Sequence, residues 1–291
     1  MKDLIDIEKD LNEIANLPTI SVIASKLLDM LVNDNIAMGS ISELMQHDPA
    51  ITAKVLKIVN SAYYGLRKEI DTLKMALVLL GINEITNIVM SLSLFRGFSL
   101  DDKSVSEFNR ELFWEHSSIT AYFSQFLGRQ MGMKLHGEEF TAGLIHDIGK
   151  IILDQYYSED FSTIVNLSNE HSIRNVEAEK AIIGITHADI GALIARKWKL
   201  PEKLAVVIKY HHNVPKAESD VDLSALICIA DILAHVIGDY QREIYETIDI
   251  EESEAWLALG EKTANIDLES LKEELIPIAE KAKSFIHETL K

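Results

Sequence analysis

The chain has 291 residues, 47% of them hydrophobic, with 46 acidic against 28 basic side chains and a formal net charge of −18. That content can bury a large core as one domain or two subdomains, and the negative balance argues against nucleic-acid binding over a general basic surface. The single cysteine, Cys228, excludes an intrachain disulfide and a cysteine-rich zinc site. No run is read as reaching the ~18 uninterrupted apolar residues of a membrane span, and the start M-K-D-L-I-D-I-E-K-D is too acidic for a signal peptide, so no membrane contact and a cytoplasmic location are expected.

Taken in chain order, the pattern is helical almost throughout. An amphipathic run at Ile20–Leu31 is followed by Asp48-Pro49, a cap and first-turn pair, behind which Ile51, Val55, Ile58, Val59 and Ala62 recur at helical spacing before Gly65. Further runs predict helices at Leu73–Leu80, Ile85–Leu94, Phe113–Gln130, Thr141–Tyr156, Phe161–Glu170, Val176–Ile182, His187–Trp198, Leu204–His211, Leu223–Gly238, Glu251–Leu259 and Leu268–Leu290. No alternating strand pattern of useful length appears. The expectation is an all-α, multi-helical bundle with an N-terminal lobe over 1–100, a second lobe over 101–240 and acidic C-terminal helices over 241–291. The weakest seams are Gly97–Lys103 and Val214–Asp222.

Charge is unevenly spread, since Ala217–Lys291 holds 18 acidic against 6 basic side chains. The local exception is Arg196–His211, where Arg196, Lys197, Lys199, Lys203 and Lys209 face only Glu202. Such a run could receive a small anion, although lysines of this kind are more often solvated helix faces.

The histidines carry the chemistry. His116, His146, His187, His211 and His212 fall inside or beside apolar helical runs, and Asp147 and Asp231 share that setting. One histidine on an apolar face is usually a satisfied core residue, but seven such groups would need seven separate solutions to desolvation, which a metal pair satisfies together. Without thiolates, the set suits iron, manganese, zinc or nickel. Lys150, one turn beyond His146 and Asp147, could face charge developing on a phosphoryl group.

The segments H-S-S-I-T-A from His116, H-D-I-G-K from His146, I-T-H-A-D-I-G-A around His187, Y-H-H-N at Tyr210–Asn213 and I-A-D at Ile229–Asp231 resemble the HD phosphohydrolase superfamily, and most closely its HD-GYP branch. Upstream, L-P-T-I-S-V-I-A-S-K-L-L from Leu17, H-D-P-A-I-T-A-K-V-L-K-I-V-N-S-A-Y-Y-G from His47 and M-A-L-V-L-L-G from Met75 resemble the HDOD domain, a related signalling module. The resemblance covers Ile14 to His235 and identifies the chain as an HDOD protein.

That resemblance implies one metal held by His116, His146, Asp147 and Asp231, and a second held by His187, His211 and His212 with Asp147 bridging. It implies catalytic roles for Asp147 and Lys150 if the site hydrolyses phosphoesters. HDOD domains resemble degenerate HD hydrolases that act in signalling, yet this chain keeps the full ligand series. It departs from HD-GYP in reading H-H-N-V-P-K-A-E-S where that branch continues its histidine pair with an acidic residue and a G-Y-P loop, and Leu112 stands where the branch places a third-metal glutamate. The reading is a signalling module with one or two divalent ions that acts mainly through a protein partner; the alternative is a metal-dependent phosphohydrolase or phosphodiesterase on a small phosphorylated ligand. Asn60, Ser61, Tyr63 and Tyr64 read as a helix cap and interlobe contact; His235, four residues after Asp231, could serve as a supporting partner for it, although a buried histidine at such a position is more often a packing residue.

Overall fold

Asp48 starts the helix Pro49–Val59 as its residue types dictate: the carboxylate accepts from the backbone N–H groups of Ala50 and Ile51, and proline occupies the first turn, where no helical donor is needed. Ile51, Val55, Ile58 and Val59 are buried on one face. The computed structural model describes residues 4–13, 17–32, 41, 44–45, 48–98 and 108–290, and every regular element among them is helical. His47 and most of the predicted seam at 97–103 lie outside the described residues.

The runs predicted at Leu73–Leu80 and Ile85–Leu94 belong to one helical segment, Leu73–Gly97, interrupted at Gly81 with φ 81° and ψ 169°. A side chain at Gly81 would be strained in that conformation. This segment and Val221–Gly238 bear on the expectation about membrane spans, although neither is an uninterrupted apolar run: Lys74 and Glu84 fall in one, and Asp222 and Asp231 in the other. Leu73–Phe95 and Val221–Gly238 are long and apolar enough to cross a bilayer, with mean hydropathies of 1.7 and 1.9, and they are 56% and 67% buried in the fold.

The opposite departure occurs at Thr141–Tyr156. The predicted single helix is two, Glu138–Ile145 and Ile148–Tyr156, separated by the turn His146-Asp147. Continuous hydrophobic periodicity concealed the break, because both flanking helices are buried along their length and neither contains a breaker at the joint. The turn is what sets His146 and Asp147 side by side.

The helix Arg110–Gln130 is packed by Glu138–Ile145, Val221–Gly238 and the C-terminal helix Leu268–Leu290. The C-terminal helix buries Leu271, Leu275, Ala279, Ala282, Phe285 and Ile286. Residues before position 100 are tied to later helices by polar contacts: Tyr63 and Tyr122 share a hydroxyl hydrogen bond of 2.7 Å, and the Trp198 indole donates to the Pro18 carbonyl at 2.8 Å. Tyr64 donates to Glu84 at 2.6 Å. Asn60 holds the turn after its helix by donating to the Leu56 and Ile70 carbonyls and accepting from the Ile70 amide.

Candidate metal centre

Five stretches of chain deliver the seven predicted side chains. His116 comes from Arg110–Gln130, and His146 and Asp147 from the turn before Ile148–Tyr156. His187 opens the helix His187–Lys197, whose first turn is fixed by a reciprocal cap between Thr186 and Asp189. His211 and His212 follow the helix Glu202–Tyr210, and Asp231 lies within Val221–Gly238. Gly149 permits the convergence: a Cβ there would lie 2.0 Å from the His187 carbonyl oxygen, so only glycine lets the H-D-I-G-K helix press onto the His187 backbone.

The result is two donor sets that share one carboxylate. His116, His146, Asp147 and Asp231 form an inner set, and Asp147, His187, His211 and His212 an outer set, each with ligand atoms within 4.8 Å of one another. Asp231 Oδ1 lies 2.9 Å from His116 Nε2 and 3.3 Å from His146 Nε2. Asp147 turns Oδ2 inward, 3.4 Å from His146 Nε2, and Oδ1 outward, 2.9 Å from His187 Nε2 and 3.7 Å from His211 Nε2. His187 and His212 approach at 3.1 Å between their Nε2 atoms. All seven are buried except His212, which is half-buried.

The ring nitrogens make the cluster compatible with a metal ion. His146 Nδ1 donates to the Gly143 carbonyl at 2.7 Å, His211 Nδ1 to the Ile208 carbonyl at 2.6 Å, and His187 Nδ1 to the Glu179 carboxylate at 2.8 Å. Each bond fixes the ring and turns Nε2 to the centre, the arrangement that orients ligating imidazoles. His146 Nε2, His211 Nε2 and Asp147 Oδ1 are buried without a hydrogen-bond partner. Unsatisfied buried nitrogens and carboxylate oxygens facing one another at these separations fit a divalent cation, and their nitrogen and oxygen chemistry fits iron, manganese, zinc or nickel.

Electrostatics agree with that fit. Burial opposes ionisation of Asp147, but His146, Lys150 and His187 outweigh it and hold the carboxyl well below the usual range; Asp231 is likewise lowered against its burial by His235, His116 and His146. Burial lowers His116 and His211, and burial with His211 and His187 puts His212 well below an ordinary imidazole. For His146 and His187 burial is outweighed by carboxylates, carrying them up to about 10 and about 9. Ligation requires an unprotonated nitrogen, so metal binding at these two would be coupled to proton release.

Lys150 is buried, and its Nζ donates to Asp147 Oδ2 at 2.5 Å. Its charge therefore steadies the shared carboxylate. Glu179, which accepts from both the His187 backbone and its ring, was not singled out by the sequence; an acidic residue inside the A-E-K-A-I run looks like any surface helix position. The buried pair Arg110–Asp154, at 2.7 Å between the Arg110 guanidinium and Asp154 Oδ2, was equally silent.

The basic run Arg196–His211 disperses on folding. Arg196 pairs with Glu202 at 2.5 Å, Lys203 with Glu138 at 2.9 Å, and Lys197 turns to the Leu11 carbonyl and Asn12. His287 lies on the surface 3.1 Å from Glu115 and 3.7 Å from Glu111. Two cavities reach His212 from outside. One of about 440 Å³ includes Arg174, Glu177, Cys228 and Ile232, and one of about 280 Å³ includes Lys180, Lys209 and Lys216.

Comparison with known proteins places this geometry. An uncharacterised protein of Treponema pallidum (strain Nichols) is 28% identical over 201 residues, covering 67% of this chain and 38% of that protein, so the chain spans well under half of this curated relative. A Geobacter sulfurreducens HDOD domain protein of unknown function shares the fold with a TM-score of 0.82 at 21% identity, over 98% of this chain and 97% of the other. A Shewanella amazonensis SB2B candidate phosphohydrolase gives a TM-score of 0.71 at 25% identity, over 96% and 97% of the two chains. The HDOD domain family matches residues 17–214, from the N-terminal lobe through the histidine pair, and this chain belongs to that family.

Proposed function

We propose that the chain is an HDOD regulatory module, built as an N-terminal lobe over 1–100, a metal-holding lobe over 101–240 and acidic C-terminal helices over 241–291, which acts mainly by contacting a protein partner. The observation that carries this reading is the closure of the centre: His116, His146, Asp147, His187, His211 and Asp231 are each no more than 1% exposed. A catalytic metal site keeps a coordination position open to substrate, whereas a structural one is enclosed by protein donors. Lys150 strengthens the argument, since its ammonium is committed to Asp147 Oδ2. The ligands assigned are His116, His146, Asp147 and Asp231 for the inner ion and Asp147, His187, His211 and His212 for the outer. The acidic surface repels nucleic acid and suits a basic protein partner.

A second reading rests on His212, which lines two cavities: a phosphohydrolase acting on a nucleotide or another small phosphoester approached from the outer side. Divalent ions held by these residues would supply Lewis-acid chemistry toward phosphoryl oxygens. The chain itself would contribute Asp147 as the shared ligand, Lys150 as the cation that orients it, and Lys180, Lys209 and Lys216 as positive charges along the approach.

Elemental analysis of untagged protein purified without chelator, followed by steady-state hydrolysis of an aryl phosphodiester and of cyclic di-GMP, tests both readings. The module reading expects bound metal with little turnover. Efficient cleavage by the metal-loaded protein would replace it with the hydrolase reading, and metal content near zero would remove both metal roles.

A further inference from the structure

His235 carries the arrangement seen at His146 and His211. It is fully buried, its Nδ1 donates to the Tyr240 carbonyl at 2.5 Å, and its Nε2 has no hydrogen-bond partner. A carbonyl can only accept, so the proton sits on Nδ1 and the Nε2 lone pair is turned inward. What Nε2 faces is Asp231 Oδ1 at 3.4 Å. That oxygen is itself an acceptor, and two acceptors opposed in a dry interior repel unless a cation lies between them.

The same oxygen is surrounded on other sides as well. His116 Nε2 lies 2.9 Å and His146 Nε2 3.3 Å from it, so three imidazole nitrogens converge on one carboxylate oxygen. His116 Nε2 is at hydrogen-bond distance from that oxygen, a contact that an ion held by both residues would replace, and neither His146 Nε2 nor His235 Nε2 makes a hydrogen bond. The ring is held in place from both faces: it stacks on Tyr245 with centroids 3.6 Å apart and planes at 14°, and its centroid is 4.1 Å from that of His116. A side chain only filling space would not need its tautomer fixed by the Tyr240 backbone and its free nitrogen aimed at an ionised ligand.

We infer that His235 is a further protein ligand of the inner metal, brought to it by a small movement of its ring from beside Asp231 toward the group of His116, His146, Asp147 and Asp231, whose ligand atoms lie within 4.8 Å of one another and to which His235 does not itself belong. The inference rests on the two-ion reading and adds a donor to it. It also explains Tyr240 and Tyr245, which lie beyond residue 214, where the family match ends, and belong to the segment that fixes the His235 ring. Five protein donors exceed the four of tetrahedral zinc, so the inner site selects metals that take five or six ligands, such as iron, manganese or nickel.

The test is proton NMR of the full chain loaded with Co²⁺, in which each ligating ring contributes a hyperfine-shifted, exchangeable Nδ1–H signal. His235→Gln is expected to remove one of these signals, lower inner-site Co²⁺ affinity at least 10-fold and raise the intensity of the visible Co²⁺ bands as coordination number falls. An unchanged signal count overturns the inference even if affinity drops, since a residue that merely props Asp231 would weaken binding without losing a signal. Should His235→Gln not fold, long-range ¹⁵N spectra of the parent on addition of Cd²⁺, a diamagnetic ion that takes five or six ligands, give the answer directly: a metal-induced shift at His235 Nε2 is expected, and its absence overturns the assignment. Failure to bind any metal sinks the two-ion reading together with this one, whereas metal bound without a His235 shift sinks this one alone.

Discussion

The inner and outer halves of the centre share Asp147 but are enclosed differently. Around the inner half, His116, His146 and Asp231 are all buried, and Asp231 sits in the long apolar helix Val221–Gly238. The outer half ends in His212, half-buried beside two cavities, and depends on Glu179 and Gly149 to seat His187. A ligand set closed by core helices binds an ion as part of folding, whereas one finished by a turn at the surface can exchange its ion or meet another molecule. The inner half therefore suits a structural ion, and the outer half is where regulation or chemistry would act.

The largest expected effect strikes what the halves share. Asp147→Ala removes the only ligand common to both sets and leaves the Lys150 ammonium buried without its carboxylate. Breaking a buried ion pair in this way costs about 3–5 kcal/mol, on top of lost metal affinity at both positions. Elemental analysis should find both ions depleted, and chemical denaturation should show the destabilisation. A variant that keeps the parent's metal content would show that Asp147 does not bridge.

Gly149→Ala should separate the halves by geometry alone. The added methyl would meet the His187 carbonyl at 2.0 Å, so the helix His187–Lys197 must move away from Ile148–Tyr156. Overpacking of this kind costs about 1–3 kcal/mol, and it displaces an outer ligand without touching an inner one. The prediction is destabilisation in urea with the outer ion lost first; equal loss of both ions would deny the independence of the two halves.

Glu179→Gln is subtler, because the side chain keeps its volume and can still accept from His187. It removes the negative charge that orients and enriches the imidazole, and changes to such supporting partners lower metal affinity about 10–100-fold. Calorimetric titration should show the weaker, outer step shifted and the inner step unchanged. An unchanged outer step would mean that Glu179 serves only the packing of Asn175–Ile182.

How much of this was legible in the sequence follows from range. The all-helical fold, the Asp48-Pro49 cap and the seven convergent side chains were legible, since caps and apolar periodicity are local signals and seven polar groups in apolar runs demand a common partner. The break at His146-Asp147 was not, because the helices on both sides are buried and the sequence runs through without proline. Glu179 and Arg110 were invisible for a different reason: a charged residue reveals burial only through a partner, and theirs are 8 and 44 positions away. The role assigned to Lys150 shows the same limit. Its spacing from His146 placed it beside the centre, but only the three-dimensional arrangement shows which atom it meets.

That meeting sets the smallest and most exacting test of the contrast between a sealed inner half and an approachable outer half. If Lys150 contacted a phosphoryl oxygen during turnover, Lys150→Ala should lower the rate of aryl phosphodiester hydrolysis about 100–1000-fold, the range for removing a donor aimed at developing charge. As a cation bonded to Asp147 Oδ2, it should act through the ligand set instead, so that metal content falls and the residual rate per bound ion changes less than about 10-fold, a difference of about 1.4 kcal/mol in barrier. Cyclic di-GMP should be turned over little by either protein, because a misplacement of about 1 Å costs on the order of 100-fold and the G-Y-P loop that would seat the dinucleotide is replaced by H-H-N-V-P. Rates must be normalised to metal measured in the same sample. A loss of 100-fold or more at full occupancy would put Lys150 at the phosphate and open the inner half to substrate.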